Sequence, residues 1–211
     1  AALAALDRAH ARDPRDLRLW ARLLATARQA GQLDWGRARF DANQLSERGP
    51  AAAAVLREAA LLWRDHEPQR SAELLRAAHA ADPDDLEALE AQLHLPPEAG
   101  VEVARVASDL AVARASAGDR EGSLRAAHRA LDALAPPGTA PATPSTASEV
   151  LDTLEVALTG LEDRSPVDVD VARVKLRWAQ ATGRTRAIRL AARDLIERLE
   201  PGPERSRLLL D

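Results

Sequence analysis

The chain has 211 residues, of which 46% are hydrophobic, 29% charged and 2% aromatic, with a formal net charge of -4. Cys and Met are absent, which excludes a disulfide framework, a thiolate metal site and a Cys nucleophile. No apolar run approaches the ~20 residues needed to cross a bilayer, and both charge signs are spread along the chain, giving no global attraction to nucleic acid or anionic membrane.

Ala (47), Leu (32) and Arg (28) make up about half of the chain, a composition that favours helices over sheet. The excess of Arg over the single Lys175 fits a GC-rich bacterial genome. A chain without Met is expected to be a fragment or a processed form.

Residues 1–12 read as a helix stopped by Asp13-Pro14. Residues 15–30 carry Leu17, Trp20, Leu23, Leu24 and Ala27 in one helical stripe, ended by Gly31. Residues 33–47 form the antiparallel mate, closed by Gly49-Pro50, and residues 51–65 and 69–81 repeat the pair around His66-Glu67-Pro68. Residues 86–95 make a short helix stopped by Pro96-Pro97, and residues 99–117 and 120–134 pair across Gly118. Segment 136–146, rich in Pro, Thr and Ala and without apolar period, reads as a loop. Thr146-Ala147-Ser148-Glu149 has the form of a capping box before the stripe of Val150, Leu151, Leu154 and Leu158. Ser165-Pro166 opens a helix to about Thr182, residues 184–199 form the last full helix, and Pro203 starts a short one. With so few aromatics, the core is expected to be Leu set into the grooves between Ala faces.

The segment from His10 to Leu17, His-Ala-Arg-Asp-Pro-Arg-Asp-Leu, returns 69 residues later as His-Ala-Ala-Asp-Pro-Asp-Asp-Leu from His79 to Leu86, with Pro50 between the copies. Leu124-Arg-Ala-Ala-His128 echoes Leu75-Arg-Ala-Ala-His79. A helix-loop-helix unit of roughly 34 residues accounts for this spacing, with Asp capping the next helix and Pro suited to its first turn. The chain resembles the tetratricopeptide repeat family, most clearly through Trp20, Leu23, Gly31, Phe40 and Pro50, then through Ala59, Leu75, Ala78 and Pro83. Leu24, Ala27 and Gly36 depart from the family's Gly, Tyr and Ala. The resemblance implies an all-α fold, a right-handed superhelical array of antiparallel helix pairs. Its repeats would run over residues 1–135 and continue over 147–211 beyond the 136–146 loop. The register after residue 84 stays open, because strict alternation makes 120–134 a first helix and the Gly118-Asp119 turn makes it a second.

No phosphate-binding Gly-rich loop, His-Glu-x-x-His or Gly-x-Ser-x-Gly occurs. His10, His79 and His128 fall late on helices and read as partly exposed residues favoured by the helix dipole. No i, i+4 His pair offers a metal site, and the acid pairs Asp84-Asp85 and Asp168/Asp170 read as caps rather than as acid–base couples. Trp20 reads as core, Trp178 as a half-buried contact between helices and Trp35 as packing beside Gly36, while Trp63 is either core or a groove-facing anchor. Arg184, Arg186, Arg189, Arg193 and Arg198, interleaved with Asp194, Glu197 and Glu200, read as a solvated face held by i, i+4 pairs. No stacking aromatics accompany this strip as they would on a nucleic-acid surface.

The expected protein is therefore non-catalytic, with no cofactor, metal or small-molecule substrate, and it serves as a protein-protein interaction scaffold. By the resemblance, first helices line a concave groove that holds a peptide or helix of a partner protein. The positions carried over are Arg18 and Arg28 with Ala21 and Ala25 between them, then Trp63 and Arg64, then Arg105, Arg173 and Arg177. Guanidinium groups among small residues suit a partly acidic peptide, and nothing here calls for nucleic acid or membrane insertion. The Lys and Asn clamp with which the family holds a peptide C-terminus is missing. The alternative is a helical regulatory or accessory domain of a larger bacterial enzyme or regulator. A cytoplasmic setting is expected, with the periplasm or exterior as the alternative if a leader has been removed.

Overall fold

The structure is a computed structural model that describes residues 2–43, 45, 47–96, 102–134 and 144–208. Among these residues there are twelve α-helices and no strand. They gather in two compact units, residues 1–101 and 102–211. The first holds α1 (Ala2–Arg12), α2 (Leu17–Gln29), α3 (Leu33–Asp41), α4 (Pro50–Trp63), α5 (Pro68–Ala81) and α6 (Leu86–Leu93). The second holds α7 (Val103–Ser116), α8 (Arg120–Leu134), α9 (Pro144–Arg164), α10 (Val169–Thr182), α11 (Thr185–Arg198) and α12 (Pro203–Leu208). The division follows the Pro96-Pro97 stop. Segment 136–146 lies within the second unit, and its residues 136–143 fall outside the described residues.

Two element ends differ from expectation for local reasons. Helix α3 stops at Asp41 rather than near residue 47, because Asn43 folds back on it: its side chain donates to the Arg39 carbonyl at 2.7 Å and its backbone N–H to that of Phe40 at 3.0 Å. Helix α9 begins at Pro144, so Thr146 lies inside it and the capping-box pattern does not mark its start. Proline is the better signal there, since its fixed φ and missing N–H suit a first-turn position. Pro50, Pro68 and Pro203 open α4, α5 and α12 in the same way.

The other prolines work differently. Asp13-Pro14-Arg15-Asp16, Asp82-Pro83-Asp84-Asp85 and Ser165-Pro166-Val167-Asp168 each form one turn, closed by the fourth residue's N–H on the first residue's carbonyl at 3.3, 3.1 and 3.1 Å. The fourth residue is the N-cap. Asp16 accepts from Leu19 N–H at 3.0 Å, Asp85 from Ala88 N–H at 3.1 Å, and Asp168 from the N–H groups of Asp170 and Val171 at 2.9 and 3.2 Å. Proline pre-sets the second turn position, and the aspartate satisfies donors that a helix start leaves open. The hairpin turns within pairs instead use Gly31, Gly118 and Gly183, at φ of +69°, +81° and +66°, which only glycine adopts without strain.

Packing follows the same order in both units. Neighbours in sequence pair, most extensively α4 with α5 and α7 with α8, and next-but-one helices stack, α2 on α4 and α7 on α9. That pairing makes α8 the mate of α7 across Gly118. Close approach relies on small residues. Ser71 on α5 donates to the Ala60 carbonyl at 2.8 Å, and Ser123 on α8 donates to that of Ala111 at 2.7 Å, both fully buried. A Cβ at Gly36 would sit 3.0 Å from the Leu62 side chain, so α3 presses on α4 at a point that leaves no room for more. The side chain of Arg164, at the end of α9, donates to the Ala115 and Ser116 carbonyls and so covers the open C-terminus of α7.

The core of the first unit is not only Leu and Ala. Trp20, Leu24, Val55, Ala59, Leu62 and Trp63 form its centre. A run of rings crosses four helices: His10 stacks on Trp20 at 5.5 Å, Trp20 meets Phe40 at 5.8 Å, and Phe40 meets Trp63 edge-on at 5.7 Å. The Arg70 guanidinium from α5 closes the run 4.1 Å above the Trp63 ring. Ring pairs of this kind add to simple burial. In a chain with four Trp and one Phe, three of the five meet here.

His10 departs from the expectation of an exposed helix end. It is 1% exposed, and neither ring nitrogen has a hydrogen-bond partner. Burial pushes its pKa below the ordinary 6.5, Arg39 on α3 pushes it the same way, and Asp7, Asp13 and Asp16 oppose them. The unfolded chain thus takes up a proton near pH 6.5 while the folded chain resists it. The seat of α1 on α2 is therefore at full strength above that pH and weakens as pH falls below it. Melting from pH 8 to 5 should show a fall that His10→Phe makes shallower; identical profiles for the two proteins would rule this out.

Candidate functional site

The positions expected to line a groove divide between the two units. In the first, Arg18, Ala21, Ala25 and Arg28 lie along one side of α2. Arg18 is exposed and pairs with no described side chain, whereas Ala21, Ala25 and Arg28 are half-buried. Arg28 is already engaged, its guanidinium 3.2 Å from Glu58 of α4. The next step repeats this arrangement: Arg57 of α4 reaches Asp85 at 2.6 Å and Glu87 at 2.9 Å, both at the start of α6. Arg28 and Arg57 are thus neutralised by the helix one hairpin later.

Trp63 is not a groove anchor. It is 1% exposed, its ring held between Phe40 and Arg70. The α4 stripe of Ala59, Leu62 and Trp63 turns it inward, and its apolar bulk is worth more there than in water. Arg64, the next residue, is exposed in the turn and 3.1 Å from Asp65. With Asp65, Pro68, His94 and Pro96 it lines an open depression of about 560 Å3. A second open depression of about 520 Å3 lies across Pro68, lined by His66, Glu67, Gln69, Arg70 and Glu73. Both are open hollows, the first with a mainly apolar lining and the second with a mainly polar one.

In the second unit Arg105 is exposed and pairs with no described side chain. Arg173 and Arg177 lie one turn apart on α10, and both are held. Arg173 grips Glu204 of α12 with two hydrogen bonds of 3.0 and 2.7 Å and touches Asp170 at 3.1 Å. Arg177 donates to His128 Nδ1 and to Asp132 of α8, both at 2.6 Å. Burial, and then the Arg177 charge, lower the His128 pKa below its ordinary value; since a guanidinium can only donate, Nδ1 of the neutral imidazole is the acceptor.

Arg120 at the start of α8 completes the network. It forks onto Asp168, at 2.7 Å for one branch, and reaches Asp170 at 3.0 Å. Hydrogen bonds from Arg120, and then from the Val171 and Asp170 N–H groups, hold the Asp168 carboxyl below its usual range, while Arg120 is raised. Asp168 and Asp170 therefore act as a cap and an ion-pair hub. On the far side of α10, hydrogen bonds from Lys175 and then Arg198 keep the Glu162 carboxyl low, at 2.6 and 3.0 Å. Trp178 is half-buried and donates to the Leu151 carbonyl at 2.8 Å, an inter-helix contact as expected.

The final arginine strip is only half neutralised. Arg193 pairs with Glu197 and Arg198 with Asp194, the i, i+4 pairs expected. The guanidinium groups of Arg184, Arg186 and Arg189 pair with no described residue, since all the acids of α11 lie in its C-terminal half. Among the described residues no three His, Asp or Glu side chains converge as metal ligands, and no helix is long and apolar enough to cross a membrane. No family model matches the chain, and no curated protein matches its sequence.

Proposed function

We propose that this chain is a non-catalytic scaffold of the tetratricopeptide kind, an α-solenoid that binds an extended or helical segment of another protein. The observation that carries this reading is the stacking of next-but-one helices, α2 on α4 and α7 on α9, with each stacked helix paired to its neighbour. Such stacking leaves one side of α2 and α4 uncovered by their mates. In the first unit that side presents Arg18, Ala25, Ala51 and Ala54, exposed or half-buried. Small side chains let a peptide backbone approach closely, and the free guanidinium of Arg18 accepts a carboxylate with two parallel hydrogen bonds. The pairing of Arg28 with Glu58 makes Arg18 the principal acid-binding residue of this face.

The test uses the intact chain as an affinity matrix on an extract of the organism that encodes it. Arg18→Glu, with Ala25→Trp to fill the face, should reduce recovery of bound protein severalfold while leaving the far-ultraviolet circular dichroism unchanged. Undiminished recovery of the same proteins would remove this reading.

A further inference from the structure

Two helix faces of the second unit carry unpaired charge of opposite sign in the same pattern. On α11, Arg186, Arg189 and Leu190 point to solvent, with Leu190 60% exposed, while Ala191 and Leu195 are buried on the opposite side. On α9, Asp152, Glu155 and Val156 point to solvent, with Val156 62% exposed, while Leu154, Ala157, Leu158 and Leu161 are buried. Each α11 residue follows its α9 counterpart by 34 residues. Charge, charge and apolar residue thus fall at i, i+3 and i+4, one continuous ridge on each helix. None of the four charged residues pairs with a described side chain. A lone exposed apolar residue is ordinary, but two of them, each flanked by unpaired like charges of opposite sign, are complementary.

We propose that these ridges bind each other between two copies of this chain. Asp152 and Glu155 of one copy face Arg186 and Arg189 of the other, and Val156 covers Leu190. A two-fold axis would make the contact twice, using both ridges of each copy. Nucleic acid fits these ridges less well, because α11 exposes no stacking aromatic and the same unit carries the acidic ridge. An anionic membrane meets the same repulsion, and the apolar side of α11 is already buried. Exposed ion pairs are individually weak, so the association is modest and sensitive to salt. It is independent of the peptide-binding reading of the first unit.

Sedimentation velocity of the whole chain tests this. The wild-type mass should climb with concentration toward twice that of one chain, and return to one in about 0.5 M NaCl, where screening is short-ranged. Arg186→Glu/Arg189→Glu and Asp152→Arg/Glu155→Arg should each stay monomeric, the first all acid on its ridges and the second all basic. Mixed in equal amounts they should associate with each other. The neutral pair Arg186→Gln/Arg189→Gln, the mildest change, should weaken self-association as well. A wild-type chain that stays monomeric up to about 1 mM, the weakest useful range, would overturn the proposal. So would reversals that leave association unchanged, or a mixture of natively folded reversals that remains monomeric.

Discussion

Trp63→Ala should lower the stability of the folded chain by about 3–5 kcal/mol, the range for removing a large aromatic from a packed core. The side chain is 1% exposed, touches Phe40 edge-on and lies under the Arg70 guanidinium. Its loss opens a cavity between α3, α4 and α5 that Leu62 and Val55 cannot collapse into, because both are already pinned in the same cluster. It also strips Arg70 of its aromatic partner, leaving that group with Asp41 alone. Urea unfolding followed by circular dichroism gives the number. A change below about 0.5 kcal/mol, typical of a surface substitution, would mean that this ring sits in water.

Asp85→Ala should cost about 2–3 kcal/mol, whereas Asp16→Ala should cost only about 0.5–2 kcal/mol, although both are N-caps of the same Asp-Pro-x-Asp turn. The difference is burial. The Asp85 side chain is 6% exposed and holds Arg57 at 2.6 Å, so its removal loses a cap and a charge-assisted bond together. Glu87 retains Arg57 at 2.9 Å, which keeps the guanidinium from being orphaned and limits the loss. Asp16 is exposed and caps α2 without an ion pair. Equal midpoint shifts for the two variants would show that the Arg57 contact adds nothing. Acid should reproduce part of this behaviour in the second unit. Asp168 and Glu162 are held low, so their contribution is complete above the ordinary carboxylate range and is lost as pH falls through and below it.

The helices themselves were legible because their signals are local. The stripe from Leu17 to Ala27 and the Gly31, Gly118 and Gly183 turns each lie within about three turns of chain, and each copy of the His10 and His79 echo is a short contiguous segment. What could not be read depends on pairs far apart in sequence. His10, Trp20, Phe40, Trp63 and Arg70 look like scattered residues until five helices bring them together. The engagement of three groove arginines was hidden for the same reason: Arg28, Arg173 and Arg177 each find a partner 30 residues or more away. Trp63 had the periodicity of either face, and only the position of Phe40 decides it. Arg186 and Arg189 were misjudged from composition, since interleaved acids matter only at i±3 or i±4 and theirs lie further on.

The pairs that link Arg28 to Glu58, Asp41 to Arg70, Arg57 to Asp85 and Arg173 to Glu204 bridge between 28 and 31 residues. Each therefore joins a helix to the one a full hairpin later. Ala-rich faces are nearly interchangeable as packing surfaces, so a collapsing chain could dock a hairpin on the wrong neighbour at little loss of apolar contact. A skipped hairpin would leave the mostly buried Glu58 and the buried Asp85 without their mates, an outcome that costs more than any one exposed pair contributes when made. Their main effect is then on misassembly: they penalise stacking out of order, and a chain built from so few kinds of residue folds with its hairpins in sequence.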